Sequence, residues 1–299
     1  MRHPDLQDWL WLALLVALWG SAFALISVSL RDFTPLQVVT SRLWIGATIL
    51  LVLMRGRRQR VPRDGRTWVF FLAMAILGNA LPFFLIAWGQ QAVASGVTGI
   101  LMAIMPLIVL LLAHFFVPGE KITLPRVVGF ALGFVGIVLL IGPSALGGFE
   151  GQGAAFWSQL AILSGAACYA VNLIVARRAP RRDPVVTAAW VLLLSAVLST
   201  VALWVGGDVL PNAPGFVPLV SLVALGVLST GVATAVYFRI VSRAGATFLS
   251  LINYLIPVFA VLIGAVFLSE RLPARSLIAL AIILAGVIIS QRKRARVGQ

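Results

Sequence analysis

The sequence predicts an all-α membrane protein with ten transmembrane helices arranged as two inverted five-helix repeats. Composition, an internal repeat and the distribution of charge lead to this prediction. The 299 residues are 61% hydrophobic and only 11% charged, with a mean hydropathy of +1.05. A soluble domain has about 25% charged residues. A water-soluble fold could not bury this much apolar surface, so we expect the chain to cross a bilayer many times.

The internal repeat has an offset of about half the chain. The repeated landmarks, separated by 151, 150 and 150 residues, are Pro106 with Pro257, Glu120 with Glu270, and Gly136 with Gly286. Residues 1–142 are therefore predicted to form the first repeat and 154–299 the second, which ends in a basic cytoplasmic tail. The Gly-rich stretch 143–153 is the predicted connector. Long internal repeats in such apolar chains are typical of transporters.

Each half contains five apolar runs near the length of about 20 residues that a spanning helix needs. The ten predicted spans are 9–30, 35–54, 67–90, 95–117, 124–142, 154–176, 185–205, 216–240, 246–268 and 274–290. Because five is an odd number, the second repeat must enter the membrane upside down. Repeats related in this way can open alternately to either side, with the binding site near the midplane where they meet.

The positive charges predict which side faces the cytoplasm. Nineteen of the 23 Lys and Arg residues fall on the side that holds both termini, three fall on the other side, and Arg42 lies within a span. Basic loops face the cytoplasm, so both termini are expected inside. The net charge of +14 is then a topology signal, and no nucleic-acid partner is expected.

Catalysis is not expected from this sequence. No Asp or Glu falls in the interior of a predicted span, and the chain has no phosphate loop and no HExxH motif. We therefore predict no catalytic residue, no metal and no cofactor. The polar groups left at membrane depth are neutral, which favours binding over chemistry. The single Cys168 excludes an internal disulfide.

Two prolines point to a binding site. Pro106 deprives the carbonyl of Met102 of its helical donor, and Pro257 does the same for Asn253, its repeat equivalent. Free carbonyls at membrane depth are tolerated when they face a wet cavity or are buried against protein. A cavity and a kink satisfied by neighbouring helices both remain open.

Polar and aromatic residues of the other spans complete the predicted site. Small polar residues also hold membrane helices together, so the pattern across several spans carries more weight than any single residue. Thr230, Thr234 and Tyr237 follow one another along span 8. The predicted substrate-binding residues are Trp19, Asn79, Phe83, Met102, Tyr169, Asn172, Tyr237, Asn253 and Tyr254.

The chain has a Trp-Gly-Ser-Ala-Phe sequence at 19–23, an arginine in span 2, and two Pro-to-Glu blocks. With these residues it resembles the EamA-type exporters of the drug/metabolite transporter superfamily over essentially its whole length. The resemblance implies ten helices, a cavity lined by spans 1, 3, 4, 6, 8 and 9, and a scaffold of spans 5 and 10. It also implies gating or structural roles for Arg42, Pro106, Pro257, Glu120 and Glu270. The two glutamates abut loops, as helix-end caps facing Lys121 and Arg271 would. The second tryptophan of the family pattern is Tyr169 here.

The resemblance implies a secondary transporter in a bacterial inner membrane that exports small neutral or zwitterionic metabolites by alternating access. Amino acids, including aromatic ones, fit the neutral polar and aromatic residues. A multidrug or lipid-linked sugar carrier of the same fold is the alternative. The expected partners are a small-molecule substrate and membrane lipid. The oligomeric state is left open, and a monomer is compatible with the sequence.

Overall fold

The computed structural model describes residues 4–55, 64–117, 123–142, 153–180, 182–208 and 213–291. These residues form ten apolar helices, nine of them with at least 18 residues. In chain order they are α1 (Leu6–Ser29), α2 (Pro35–Arg55), α3 (Gly65–Gly89), α4 (Ser95–Phe116), α5 (Leu124–Ile141), α6 (Gly153–Arg178), α7 (Pro184–Val205), α8 (Phe216–Gly245), α9 (Ile252–Phe267) and α10 (Ala274–Gln291). The predicted fold class is confirmed.

Aspartates begin three of the helices on the predicted cytoplasmic side. Asp5 forms a capping box with Asp8 at the start of α1, and Asp64 and Asp183 accept hydrogen bonds from first-turn amides of α3 and α7. Such side chains satisfy amides that have no partner within the helix. Asp8 is 1% exposed and forms an ion pair with Arg243, which ties the start of α1 to the end of α8.

Two helices contain π-helical segments at equivalent places in the repeats. In α3 the segment is Ile76–Ala80, and in α8 it is Leu225–Val232. The offset of 150 residues maps 76–80 onto 226–230, which lies inside the second segment. In a π-helix each amide bonds to the carbonyl five residues back, and such segments are frequently found at functional sites.

The two repeat-equivalent prolines lie differently relative to interruptions of helical pairing. Helical pairing in α4 is interrupted at Ala103 and Ile104, and Pro106 lies in the first turn of the continuing helix. Before α9 the interruption is at Ser250 and Leu251, and Pro257 is buried well inside the helix. Pro257 thus lies in a continuous helix, and it has no N–H group to donate to the carbonyl of Asn253. The chain has already changed direction upstream, at Gly245 with φ 85°.

α5 and α10 pack together along their lengths. A Cβ on Gly286 would lie 2.6 Å from the carbonyl oxygen of Gly129, so only glycine allows the helices this close. The 150-residue offset maps this pair onto Gly136 and Ala279, and a Cβ on Gly136 would lie 3.1 Å from the carbonyl oxygen of Ala279. An exchange of partners between the two copies is what a pseudo-two-fold axis produces.

The other helix contacts follow the same exchange. α3 packs against α6, and their counterparts α8 and α1 also pack together. Likewise α2 packs against α8, and α7 against α3. α4 and α9 contact each other directly. Helices 1, 3, 4, 6, 8 and 9 are thus interleaved across the repeat boundary, while α5 and α10 form a separate pair.

Candidate functional site

The π-helical segment of α8 presents a hydroxyl group to a buried arginine. The Thr230 hydroxyl donates to the carbonyl of Leu225, five residues back, at 3.1 Å. It accepts a hydrogen bond from Nε of Arg42 on α2 at 3.2 Å. The two helices can approach because Gly46, one turn from Arg42, has no side chain: a Cβ there would lie 2.6 Å from the methyl of Thr230. The i-to-i+5 bond therefore orients the oxygen that holds Arg42.

Arg42 is 5% exposed although it lies within a membrane-length helix. The guanidinium carbon sits over the ring of Phe83 at 3.8 Å from the centroid, a cation–π contact between α2 and α3. In the part of the chain that the structure describes, no carboxylate forms an ion pair with this arginine. A buried charge without a counter-charge is costly, so this residue is the most unusual of the candidate site.

Four of the predicted aromatic residues form two pairs, one of which contacts Arg42. Phe83 meets Tyr169 of α6 edge to face, with ring centroids 6.4 Å apart. Trp19 of α1 lies against Tyr237 of α8, with centroids 5.7 Å apart. The indole nitrogen of Trp19 donates to the carbonyl of Ser229 at 3.2 Å, one residue before Thr230. The dipeptide 229–230 thus connects both pairs, and together with Arg42 these residues form what we call the aromatic–arginine cluster.

Three more predicted residues, Asn79, Asn172 and Met102, lie near α3. The two asparagines are at its π-helical segment, and Met102 packs in the same hydrophobic cluster as Phe83. Asn79 is half-buried within the segment, and Asn172 packs against it so closely that a Cβ on Gly78 would lie 2.7 Å from its amide nitrogen. The amide oxygen of Asn172 is buried, and no described residue donates to it. Met102 ends the first half of α4 and packs against the same core cluster as Phe83.

Asn253 and Tyr254 occupy a different place. Both are half-buried in the first turn of α9, and Tyr254 packs against a core cluster formed mainly by α4, α5 and α10. Among the described residues, no hydrogen bond or ring contact connects either one to the aromatic–arginine cluster. The structure therefore brings four predicted substrate-binding residues together near Arg42, and it shows no such contact for these two. Their role as substrate ligands remains a prediction.

Glu270 caps a helix of the opposite repeat. The carboxylate accepts hydrogen bonds from the amides of Ser95 and Gly96, at 2.8 and 2.9 Å, where α4 begins. Gly264 leaves room for the carboxylate, since a Cβ there would overlap one of its oxygens. The predicted capping role fits this geometry, but the group that Glu270 binds is the start of α4 rather than Arg271. Its counterpart Glu120 lies outside the described residues.

A recess of about 290 Å³ opens elsewhere, between α3 and α6. It is lined by Trp88, Trp157, Leu160, Ala161 and Ser164, none of which is a predicted ligand. Both tryptophans are exposed, and tryptophans are typical of the membrane–water interface. The recess is thus part of the outer surface of the helix bundle and separate from the aromatic–arginine cluster.

Sequence reasoning misses the contact between Arg42 and Thr230 and the cap on Ser95. It identifies Thr230 only as one of several polar residues on span 8. A lone arginine inside a span signals that it needs some partner, but the sequence does not say which one. The partner is determined by how α2 and α8 are aligned. That alignment depends on Gly46 and on a π-helical segment whose amino-acid composition does not distinguish it from an ordinary helix.

Comparison with known proteins agrees with this architecture. The model of the EamA-like transporter family matches residues 8–142 and again residues 156–291. The chain belongs to the EamA-like transporter family. As an EamA protein it is a multi-pass membrane transporter of the drug/metabolite transporter superfamily, and that part of the sequence-based interpretation is confirmed.

Relatives of this EamA chain come from distant organisms. It is 25% identical to the uncharacterized transporter YoaV of Bacillus subtilis, with 91% of this chain and 92% of YoaV aligned. It is 27% identical to an uncharacterized transporter of Archaeoglobus fulgidus, covering 97% of this chain and all of the relative. It is also 27% identical to the uncharacterized inner membrane transporter YedA of Escherichia coli, covering 92% and 87%.

A crystal structure shares this EamA fold. The superposition has a TM-score of 0.67 at 23% sequence identity and covers 96% of this chain and 97% of the other. At that identity the likeness supports the fold alone. The names of the relatives describe transporters without stating a substrate, so the substrate must be argued from the site.

Proposed function

We propose that this EamA protein exports small neutral or zwitterionic metabolites, above all amino acids that include aromatic ones, across a bacterial inner membrane. The observation that carries the proposal is the aromatic–arginine cluster, in which two aromatic pairs from four helices are connected through the polar groups of Arg42 on α2 and of Ser229 and Thr230 on α8. An amino acid has the matching combination of a polar end and an apolar side chain. Aromatic rings prefer tilted or edge-to-face neighbours, and both pairs here have such geometry.

Alternating access fits the position of the cluster. It is built from α1, α2, α3, α6 and α8, which come from both repeats, and it lies where the two π-helical segments interrupt regular pairing. Sites at repeat interfaces beside irregular helices are typical of secondary transporters. Glu270, which caps α4 across the repeat boundary, holds the outer ends of α4 and α9 together. Opening to the outside would require this contact to separate.

The proposed orientation places both termini in the cytoplasm, as the basic residues predict. Transport is proposed to run down the gradient of the substrate itself. The seven described carboxylates lie at helix ends or in loops and not at membrane depth. None of them is therefore placed where it could bind a coupling proton alternately from the two sides of the membrane. The protein would then relieve an internal excess of metabolite without coupling to an ion.

The test is counterflow in proteoliposomes that contain the purified full-length protein. Vesicles loaded with each of the twenty amino acids should accumulate trace radiolabelled L-phenylalanine only when the loaded amino acid is a substrate. Trp19→Ala should lower the initial rate about tenfold or more, because it removes both the stacked ring and the bond to Ser229. Trp204→Ala is the matched control, since Trp204 is 83% exposed at the end of α7.

Two results would contradict the proposal. If no loaded amino acid drives uptake of labelled L-phenylalanine, while vesicles loaded with a cationic dye or a lipid-linked sugar accumulate a labelled tracer of that same compound, the alternative carrier function is correct. If Trp19→Ala and Asn253→Ala both transport at the wild-type rate with unchanged melting temperatures, the binding site has been placed wrongly.

A further inference from the structure

The terminal amino groups of the Arg42 guanidinium are available to bind a ligand. One face of the plane is covered by the ring of Phe83 at 3.8 Å, and Nε is bound to the Thr230 hydroxyl at 3.2 Å. The two terminal amino groups have no hydrogen-bond partner among the described residues. Yet the residue as a whole is 5% exposed, so bulk water does not surround it. The structure thus holds a preoriented cation whose remaining donors are unused.

Among the residues that the structure describes, none supplies a negative charge next to Arg42. The described carboxylates are bound to other groups or lie at helix ends: Asp8 pairs with Arg243, Asp64 with Arg182, and Glu270 caps α4. A structural arginine at membrane depth normally pairs with an acidic residue or a carbonyl. Thr230 cannot neutralise the charge, because its hydroxyl is a neutral acceptor. The charge is therefore available to an external anion.

The geometry of the free donors selects among anions. Two parallel N–H groups at the end of a planar guanidinium match the two oxygens of a carboxylate, and such bidentate pairs are among the strongest hydrogen bonds. The apolar surface in contact with the guanidinium is the ring of Phe83, which meets Tyr169. The second aromatic pair, Trp19 with Tyr237, is linked to it through Ser229, the neighbour of Thr230. The complementary ligand has a carboxylate at one end and an apolar, preferably aromatic, group at the other. A cation would be repelled.

We propose that Arg42 is the residue that binds the carboxylate of the transported substrate. This inference rests on the proposed function and deepens it, because it assigns the substrate class to carboxylate-bearing amphipathic molecules. It also departs from the role that the family resemblance implies for Arg42, which is gating or structure. The aromatic pairs then hold the side chain of the substrate, and the neutral polar groups are left for its amino group.

The test compares three ligands that differ at one group each: L-phenylalanine, L-phenylalaninamide without the carboxylate, and 3-phenylpropanoate without the amine. Binding is measured by isothermal titration calorimetry on the full-length protein in detergent. Wild-type protein should bind both carboxylates and should bind the amide about 30-fold more weakly or worse, the cost of leaving one member of a buried charge pair unpaired. Arg42→Gln should lower the affinity for both carboxylates to the level of the amide and leave the amide unchanged.

Two further variants separate binding from structure. Arg42→Lys keeps the charge but loses the planar fork, so it should weaken both carboxylates about tenfold or more and spare the amide. It serves as the test variant if Arg42→Gln does not fold, as judged by melting temperature and gel filtration. Arg239→Gln is the matched control: it removes an exposed guanidinium that stacks on Trp11 near the inner end of α8, and it should leave all three affinities unchanged.

The outcomes are distinguishable. An equal loss for all three ligands in Arg42→Gln, or no change in the ratio of acid to amide, overturns the proposal and makes the residue a structural link between α2, α3 and α8. Wild-type protein that binds neither carboxylate overturns it as well. Arg42-dependent binding of 3-phenylpropanoate in a protein that transports no amino acid would uphold the carboxylate site while the proposed amino-acid substrate fails.

Discussion

The carboxylate of Glu270 caps the helix that begins at Ser95, a residue 175 positions earlier in the chain. The bond joins the loop after α9 to the start of α4, so the end of a helix in the second repeat is held against the beginning of a helix in the first. A carboxylate at this position also interacts favourably with the positive end of the helix dipole.

Replacing Glu270 should destabilise this outer contact. Glu270→Ala leaves two amides without their acceptor and should cost about 1–3 kcal/mol of unfolding free energy. Glu270→Gln, which keeps one acceptor oxygen, should lose about half of that. The measurement is equilibrium unfolding in mixed micelles. Asp32→Ala is the control, because Asp32 is exposed and accepts only the amide of Gly215; a loss as large as that of Glu270→Ala would contradict the capping role.

The contact of Gly129 with Gly286 predicts sensitivity to a single methyl group. Gly286→Ala should cost about 1–3 kcal/mol, because its Cβ would lie 2.6 Å from the backbone oxygen of Gly129 and backbone cannot move aside as a side chain can. Gly65→Ala is the matched control, because a Cβ at Gly65 would have no atom within 4 Å. Melting temperatures of the three proteins check the difference. Equal temperatures would mean that α5 and α10 do not form a rigid pair.

The orientation can be tested with single cysteines in a Cys168→Ala background. Arg31→Cys, before α2, should react with an impermeant maleimide added outside intact cells. Arg66→Cys, in the first turn of α3, should react only after the membrane is opened. Both positions are exposed at the protein surface, so a failure to react reports the side and not burial. Labelling of both from the same side would refute the proposed topology.

The positions of the helices could be predicted from the sequence, but most contacts between helices could not. The spans were predictable because hydropathy is a local property, and α2, for example, begins at the predicted Pro35. The meeting of Trp19 with Tyr237 and of Phe83 with Tyr169 puts predicted residues side by side. The bond of Arg42 to Thr230 depends on where two helices lie relative to each other, and no single segment encodes that.

The two prolines illustrate the same limit. Both remove a backbone donor, and that consequence is fixed by chemistry. Whether the helix then breaks depends on its neighbours. Pro106 lies just after the break in α4, whereas Pro257 lies inside α9 and the chain turns upstream of that helix, near Gly245 and Ser250. A repeat in sequence therefore predicts equivalent positions but not identical backbone geometry.

Energetics provide a further prediction. A proton-coupled exporter needs a titrating group that is exposed alternately to the two sides, and a one-unit pH difference would give a 1:1 antiporter about 1.4 kcal/mol of driving force. The described carboxylates lie at helix ends or in loops, as Asp8 and Glu270 do. Initial export rates from loaded proteoliposomes should therefore stay within about twofold across such a step. Accumulation against a substrate gradient, driven by pH alone, would show that a coupling group exists.

The π-helical segments in α3 and α8 give the backbone a defect that can travel. At one end of the segment, a hydrogen bond to the carbonyl five residues back can be replaced by one to the carbonyl four residues back. If the reverse replacement takes place at the other end, the segment moves along the helix without a net loss of hydrogen bonds. Each residue that it passes turns by about 100° around the axis. Phe83 lies three residues beyond the segment in α3 and Thr230 lies within that in α8, so a shift of either segment toward or past these residues would turn a side chain that contacts Arg42. A movement of this kind would change the binding site from both repeats while the helices stay folded.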